Sequence, residues 1–262
     1  IIEIGMDVSI PENSIVIDLD GKYIYPSFIE IYSDYGIVKQ TNDKKTSSPQ
    51  LESNKKGPYY WNESVKAEVT ALPLFKYDDK NSKKYREMGF GVVSTHLNDG
   101  VIRGTSALID LNEEDKLEVI KENAAFYYSF QKGSSKQTYP SSLMGMIALI
   151  RQFNYDAKWY EKNREYVDYN ASLSAMIEAE DLPKVFYATN TASELRAKKI
   201  AEEFNHEYLL FGNGTEYERV LEIKETNSTI IAPVNFPLPY DVKDPYESIQ
   251  LPLSKMKEWE LA

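Results

Sequence analysis

Residues 184–211 read KVFYATNTASELRAKKIAEEFNHEYLLF, and this stretch decides the fold class. Two short apolar runs, Lys184–Thr189 and Tyr208–Phe211, flank the segment Ala192–Asn205, whose apolar residues recur at helical spacing. Two neighbouring strands that are joined through a helix run parallel, because the helix returns the chain to the edge where the first strand began. The stretch therefore predicts a βαβ unit.

The same rhythm continues on both sides of this unit. A helix is predicted at Ser172–Glu180 before it, and a helix at Thr215–Thr226 and a strand at Thr229–Val234 after it. The strands are almost continuously apolar, as expected where helices cover both faces of a parallel sheet. Three helix–strand alternations with short connections thus predict an α/β fold in which helices surround a parallel sheet.

The segments before residue 172 follow a less regular pattern, and they are predicted from hydrophobic spacing and from Gly and Pro positions. A polar stretch from Val38 to Pro58 is expected to be a surface loop. Strands are expected at Ile1–Ile4, Ser14–Leu19, Phe90–His96 and Thr105–Leu111. Helices are expected at Val65–Ala71, Asn81–Met88, Asn112–Glu122 and Ser141–Val167.

The composition excludes several classes of protein. The chain has 30 Lys and Arg against 41 Asp and Glu, a net charge of −11, which opposes binding to nucleic acid or to anionic membrane surfaces. No apolar run reaches the roughly 18 residues that a membrane-spanning helix needs. Without cysteine, the chain has no disulfide, thiolate zinc site or cysteine nucleophile. We expect neither nucleic acid nor a membrane as partner.

The N-terminal third carries a more specific pattern. Residues 18–23 read DLDGKY and residues 26–34 read PSFIEIYSD, which resembles the entry into the first barrel strand of the amidohydrolase superfamily, nearest to its imidazolonepropionase-like members. Residues 88–95, MGFGVVST, are similar to the second strand of that family, and Leu182–Phe186 is similar to a later one. The resemblance implies a (β/α) TIM-type barrel of the metal-dependent hydrolase kind.

The resemblance also implies a domain organisation. Residues 1–25 would be a fragment of a small β-sandwich that contributes a few N-terminal strands, and residues 26–262 a partial amidohydrolase-like barrel. A full barrel has eight strand–helix units and about 250 residues, whereas this chain has room for five or six units after its front strands and long loops. We therefore expect an incomplete barrel.

The histidine metal ligands of the family are missing from this sequence. In such enzymes an H-x-H pair ends the first barrel strand, and those two slots hold Tyr32 and Asp34 here. The family also places a histidine at the end of each of two later strands, where this chain has Tyr187 and Gly212. A phenol is a poor zinc ligand near neutral pH, because its reference pKa is about 10. The resemblance thus implies no metal ligand and no catalytic residue within this chain.

His96 and His206 are the only histidines. His96 closes a predicted strand at its carboxyl end, where barrel sites assemble, whereas His206 lies in a polar junction and is interpreted as a solvated or capping residue. We predict that His96, Tyr32, Asp34 and Tyr187 converge at one barrel mouth and line a substrate-binding pocket.

Two weaker sites remain as alternatives. Asp34, Asp99 and Asp110 would supply oxygen ligands of the kind that magnesium or calcium prefers, although acidic residues at strand ends are commonly solvated. The segment Gly212–Thr215 lies between a strand and a helix, where backbone amides can bind an anion. A plain turn, with Thr215 as the N-cap of the following helix, is the simpler interpretation.

Two classes of function stay open. In the first, the chain is a non-catalytic amidohydrolase domain without a cofactor, a scaffold or binding half of a larger hydrolase. Its partner would then be the remainder of a longer polypeptide, a second amidohydrolase barrel or another copy of itself. In the second, it is a zinc-dependent hydrolase of amide or other non-peptide C–N bonds, imidazolonepropionase-like, completed by ligands outside this chain.

Overall fold

The computed structural model of the chain describes residues 3–6, 8–38, 47–112, 118–214 and 216–233. Within these ranges it is a mixed α/β structure with two sheets and five α-helices. The strands are β1 Phe28–Ser33, β2 Phe90–Thr95, β3 Ile102–Thr105, β4 Ala107–Asp110, β5 Val119–Lys121, β6 Phe126–Ser129, β7 Lys184–Tyr187, β8 Tyr208–Phe211 and β9 Ile230–Ile231. The helices are α1 Asp79–Glu87, α2 Leu143–Asn163, α3 Ala171–Glu178, α4 Thr191–Phe204 and α5 Val220–Glu225.

The second half of the chain forms the parallel sheet that its sequence predicts. The strand order is β3-β6-β7-β8-β9, and the pairs β6–β7, β7–β8 and β8–β9 are all parallel. Helix α4 connects β7 to β8, and α5 connects β8 to β9. The predicted alternation of helices and strands is confirmed, although β9 spans only Ile230–Ile231 and the predicted strand end at Val234 lies outside the described residues.

The first sheet has the order β1-β2-β4-β5, with β1 parallel to β2 and β4 antiparallel to β2. Only Ser106 separates β3 from β4, and β3 is antiparallel to β6. Strands β2 and β6 both run opposite to the stretch 102–110, so they run in the same direction as each other. The carboxyl ends of β1, β2, β6, β7 and β8 therefore face one side of the molecule, which we call the carboxyl edge.

Two helix predictions are wrong. Val65–Ala71 is not helical, because two of its residues form bridges to strand β3. In the predicted helix Asn112–Glu122, residues 119–121 form β5 and pair with β4, and residues 113–117 lie outside the described part. Both segments contain β-branched residues next to a strand, and pairing with a distant segment outweighs local helical spacing.

The N-terminal segment, residues 3–6 and 8–27, contains no strand in the structure, so the strand predicted at Ser14–Leu19 is not formed there. A β-branched run needs a neighbouring strand to satisfy its backbone groups. The β-sandwich fragment at residues 1–25 stays a prediction. Large apolar side chains of this segment are at least 63% exposed: Ile4, Met6, Ile10, Ile15, Val16, Ile17, Tyr23, Ile24 and Tyr25.

Helix α2 shows how the sequence builds the core. The Ser142 side chain accepts a hydrogen bond from the Gly145 N–H at 3.2 Å and caps the first turn. None of the helices in the described ranges has the length and apolar character that crossing a bilayer requires. Burying one Leu or Phe side chain contributes roughly 1.5–3 kcal/mol to the free energy of unfolding. The apolar stripe of α2 is buried in one core with side chains of β6 and β7: Leu149, Ile150, Phe153, Ala157, Phe126, Tyr128 and Phe186.

Candidate functional site

Five rings pack together at the carboxyl edge, and we call them the mouth cluster: Tyr32, His96, Tyr127, Tyr187 and Phe211. The centroid of the Tyr32 ring lies 4.3 Å from that of Phe211, 5.2 Å from Tyr187 and 4.7 Å from His96. The His96 ring stacks on Tyr127 with centroids 3.8 Å apart. The structure thus brings together Tyr32, His96 and Tyr187, three of the four residues that the sequence proposes for the pocket.

Strand ends position these rings. Tyr187 and Phe211 are the last residues of β7 and β8 and lie opposite each other in the register of that pair. The His96 N–H donates to the Ser33 carbonyl at 2.9 Å, which aligns the ends of β1 and β2. The Tyr127 hydroxyl donates to the Ile31 carbonyl at 2.7 Å. Strands of both sheets therefore contribute side chains to the cluster.

The other slots of the resemblance lie at the border of the cluster. Asp34 follows β1 in a turn, where its carbonyl accepts from the Ile37 N–H at 3.1 Å, and its role in a pocket stays a prediction. Gly212 directly follows Phe211, and a Cβ atom on it would lie 2.3 Å from Oε1 of Glu216. A side chain at this position, histidine included, would therefore have to displace the Glu216 carboxylate.

A buried cation, Arg103, borders the cluster and was not predicted from the sequence. Its side chain is 1% exposed. The guanidinium donates to the Tyr32 hydroxyl, to the Gly100 carbonyl at 3.1 Å and to Oε1 of Gln131 at 2.8 Å. Its Cζ atom lies 5.8 Å from the centre of the Tyr187 ring, within the range of a cation–π contact.

A signal for Arg103 is present in the sequence. It is the only charged residue in the otherwise apolar or small stretch Val101–Ile109, and a lone charge inside a buried strand requires a specific partner. Tyr127 and Phe211 were also missed as site residues. Their patterns, in the runs Phe126–Ser129 and Tyr208–Phe211, cannot be distinguished from ordinary core strands.

The mouth cluster is electrostatically unusual. His96 is fully buried, and neither of its ring nitrogens has a hydrogen-bond partner within the described part of the chain. Burial, and then the charge of Arg103, hold the pKa of His96 well below its usual value. Burial raises the pKa of Tyr32, although Arg103 opposes the rise. At neutral pH the cluster therefore consists of neutral rings beside one guanidinium cation.

These residues do not fit a zinc ion. Zinc in proteins takes four ligands from thiolate, imidazole and carboxylate groups, whereas His96 is enclosed between the rings of Tyr32 and Tyr127. The Arg103 guanidinium beside these rings repels a divalent cation. Among the residues for which the structure gives positions, no group of three or more His, Asp or Glu could hold a metal.

The oxygen-rich cation site considered for Asp34, Asp99 and Asp110 is not assembled. Asp110 ends β4 and pairs with Val92 near the start of β2, whereas Asp99 lies beyond the end of β2. Because β4 is antiparallel to β2, these two carboxylates lie towards opposite ends of the sheet. The Asp99 carboxylate is instead bonded to the Lys66 ammonium and to the Ser134 hydroxyl.

An open pocket of about 750 Å³ adjoins the mouth cluster. Its lining includes residues that follow β1, β2 and β6, so it opens at the carboxyl edge. Asn98 lines this pocket, and its Oδ1 accepts from the Tyr32 hydroxyl at 3.2 Å. Asn98 therefore connects the pocket to the cluster.

Both lysines of the pocket are paired with a carboxylate. The Lys55 ammonium lies 2.6 Å from the Glu68 carboxylate, and Lys66 pairs with Asp99. Burial lowers the pKa of Lys55, although Glu68 opposes this. Burial alone would raise the pKa of Asp99, but the hydrogen bonds from Lys66 and Ser134 outweigh it and lower that pKa. The pocket is polar, and it also contains a third carboxylate, Glu63, which accepts hydrogen bonds from the backbone N–H and the side-chain amide of Asn54.

The anion site considered for Gly212–Thr215 is filled by the chain itself. Oε1 of Glu216 accepts from the Asn213 N–H at 2.6 Å and from the Gly214 N–H at 3.2 Å; Thr215 lies outside the described residues. The fully buried Glu194 accepts from the Asn213 amide at 3.0 Å. Burial, and then the charge of Glu216, raise the pKa of Glu194 to about 8. Glu194 is therefore protonated at neutral pH and shares its proton with Glu216.

Comparison with known proteins gives one structural relative. No protein-family model and no curated protein matches the sequence. Among solved structures, the chain is similar to an amidohydrolase from Thermotoga maritima MSB8, with a TM-score of 0.67 and 19% sequence identity over 92% of this chain. The chain spans 64% of the length of that protein. The similarity supports an amidohydrolase-like α/β fold, and at this identity it concerns the fold alone.

Proposed function

We propose that this chain is an amidohydrolase-like domain that does not hydrolyse a substrate by itself and serves as the scaffold or binding half of a larger hydrolase. The observation that carries the proposal is the ring stack around Tyr32, which contacts His96, Tyr187 and Phe211. By the resemblance to imidazolonepropionase-like sequences, this is the place of the first metal-ligand pair.

The chemistry of that place argues against metal-assisted hydrolysis within this chain. A catalytic metal lowers the pKa of its bound water from about 15.7 towards about 7, and it needs anionic or neutral ligands to stay bound. Tyr32 keeps its proton because burial raises its pKa. The Arg103 guanidinium, which donates to the Tyr32 hydroxyl, would repel a metal ion bound beside Tyr32.

We propose that the partner is the remainder of a longer polypeptide or a second amidohydrolase barrel, which would complete the partial TIM-type barrel and the front β-sandwich. Two observations support this. The chain spans 64% of the length of the similar amidohydrolase. Among the strands that the structure describes, β1 and β9 lie at edges of their sheets, and the segment that leads into β1 has exposed apolar side chains.

The alternative is a zinc-dependent hydrolase of amides or other C–N bonds whose ligands come from outside this chain. The same partial coverage of the amidohydrolase keeps this alternative open, because strands beyond this chain would bring further side chains to the carboxyl edge. In this case Tyr32 would have to leave its ring stack, and Asp34 would have to bind the ion.

The two functions are separated by measuring zinc content and turnover of the purified chain and of the complete natural polypeptide that contains it. For the chain alone we expect less than one tenth of a zinc ion after incubation with zinc and desalting, and no turnover of hydantoins, imidazolones or N-acyl amino acids. In the complete polypeptide we expect Asp34→Ala to change neither zinc content nor turnover. The control is the double variant Tyr32→His and Asp34→His, which restores the H-x-H spacing; it should gain no turnover, because the remaining ligands are absent. One zinc per wild-type chain, lost in Asp34→Ala together with a hydrolase activity, would establish the alternative.

A further inference from the structure

We propose that the mouth cluster binds a ligand that carries a carboxylate, with Arg103 as its anchor. This proposal names the ligand class of the binding role proposed above and rests on that role. It starts from two polar groups at the carboxyl edge that the described residues leave uncompensated, and from the pocket beside them.

The first of these groups is the guanidinium of Arg103. None of the ion pairs formed among the described residues includes it, and its three hydrogen bonds end on neutral oxygens of Gly100, Tyr32 and Gln131. A cation that has lost its hydration is normally paired with an anion. The two lysines of the adjoining pocket follow this rule, since Lys55 and Lys66 each pair with a carboxylate. Arg103 is more deeply buried than either.

The second group is the imidazole of His96. Both ring nitrogens are buried and find no hydrogen-bond partner in the ranges that the structure describes. Buried polar side-chain atoms are bonded in the large majority of cases. A neutral imidazole offers one N–H donor and one acceptor, so a ligand beside His96 would form a hydrogen bond that the described residues do not supply. Arg103 and His96 both contact Tyr32.

The arrangement around Tyr32 provides a route from the pocket. Tyr32 is only partly buried, and its hydroxyl lies between Arg103 and Asn98; Asn98 lines the pocket of about 750 Å³. This hydroxyl occupies the acceptor position of the guanidinium. A carboxylate that enters from the pocket would replace it and offer two oxygens to the planar fork of Arg103. The stacked rings suit a ligand whose remaining part is flat or apolar.

The proposal is tested by isothermal titration calorimetry in metal-free buffer. The probes are acetate, succinate and 3-phenylpropionate, each compared with the neutral amide of the same skeleton and with inorganic phosphate. We expect at least one carboxylate to bind tenfold or more tightly than its amide and than phosphate, and Arg103→Gln to weaken it at least tenfold. The control Arg151→Gln removes a guanidinium on α2 that is 44% exposed and bonded to Glu203. This variant should bind the carboxylate with the same affinity as the wild type.

A second variant keeps the test decisive if Arg103→Gln does not fold. Tyr32→Phe keeps the ring stack and removes the competing hydroxyl, so we expect it to bind the carboxylate several-fold more tightly. Any one of four results would overturn the proposal. They are no carboxylate binding to the wild type, equal affinity for acid and amide, phosphate as the tightest ligand, and unchanged affinity in both variants. The calorimetry involves neither zinc nor turnover, so the absence of carboxylate binding would leave the proposed non-catalytic role unaffected. Conversely, zinc-dependent turnover would disprove the non-catalytic role without changing the measured carboxylate affinities.

Discussion

Tyr32 determines what the carboxyl edge can do. Its ring contacts the four other rings of the mouth cluster, and its hydroxyl joins Arg103 to Asn98. A side chain that is held by packing on its ring and by hydrogen bonds at its tip is not free to bind an ion. What Tyr32 can bind thus depends on neighbours that are far away in the sequence.

The burial of His96 gives a prediction on its protonation. Because its pKa is held well below the usual value, the folded chain binds this proton more weakly than the unfolded chain. Stability is therefore lost as the pH falls below about 6.5. In His206→Gln, His96 is the sole histidine, so histidine NMR reads it directly. We expect no titration of its ring signals between pH 5 and pH 8; a midpoint near 6.5 would contradict the buried, neutral ring.

Gly104 gives a prediction on backbone conformation. It lies in β3 with φ +78°, and a Cβ atom on it would lie 1.9 Å from the Val69 carbonyl oxygen. We expect Gly104→Ala to lower the free energy of unfolding by roughly 3 kcal/mol or more, because a steric clash adds to the left-handed backbone cost. Gly21 has a similar φ of +75° with nothing within 4 Å, so Gly21→Ala measures that cost alone, about 1 kcal/mol. Urea denaturation compares the two, and equal losses would contradict the close contact at Gly104.

At the scale of elements, side-chain caps fix where the helices of the second half begin. The side chains of Asn170 and Asn190 accept hydrogen bonds from backbone N–H groups in the first turns of α3 and α4. Each such cap contributes about 1 kcal/mol. Asn205, in the left-handed conformation with φ 58°, ends α4. These signals are local, which is why the sequence predicts these helices to within a few residues.

Glu194 in α4 and Glu216 after β8 form a pair of carboxyl groups that gives a prediction on the pH dependence of stability. Glu194 has its pKa raised to about 8 by burial and by Glu216, so the folded chain binds this proton more tightly than the unfolded chain. The stability that this proton contributes is present below pH 4.5 and is lost as the pH rises towards about 8. Glu194→Gln supplies a permanent N–H donor to Glu216, so we expect a flatter decline of Tm between pH 5 and pH 9.

The control for this pair is Glu203→Gln on the same helix. Glu203 is bonded to Arg151 and is partly exposed, with 28% of its side-chain surface accessible. Its substitution should leave the slope of Tm against pH as in the wild type. A Glu194→Gln variant with an unchanged slope would show that the two carboxyl groups do not share a proton.

At the scale of the whole molecule, the exposed N-terminal segment predicts association. Exposed apolar patches of several hundred Å² commonly mark contact surfaces. We expect the isolated chain to self-associate with rising concentration in analytical ultracentrifugation, and the triple variant Ile15→Glu, Ile17→Glu and Ile24→Glu to stay monomeric. The control is Met144→Glu with Leu221→Glu, two exposed apolar residues on helices. If the control abolishes association as well, the N-terminal segment is not the contact surface.

By itself, the sequence determined the alternation of helices and strands from Ser172 onward, because caps and hydrophobic spacing act over a few residues. It also determined that strand ends would carry Tyr32, His96 and Tyr187 to one edge, since parallel strands share a direction. Where a distant partner competes with local spacing, as in Val65–Ala71, the prediction failed.

Only the tertiary structure decided which hydrogen-bond and charge partners these residues have. It placed Arg103 against the Tyr32 hydroxyl and left the nitrogens of His96 without partners among the described residues. It also placed the Glu216 carboxylate where it accepts hydrogen bonds from the backbone N–H groups after β8. The physical reason is that burial and electrostatic compensation depend on contacts between segments far apart in the chain. Hydrophobic periodicity, which is a property of neighbouring residues, carries no information about such contacts.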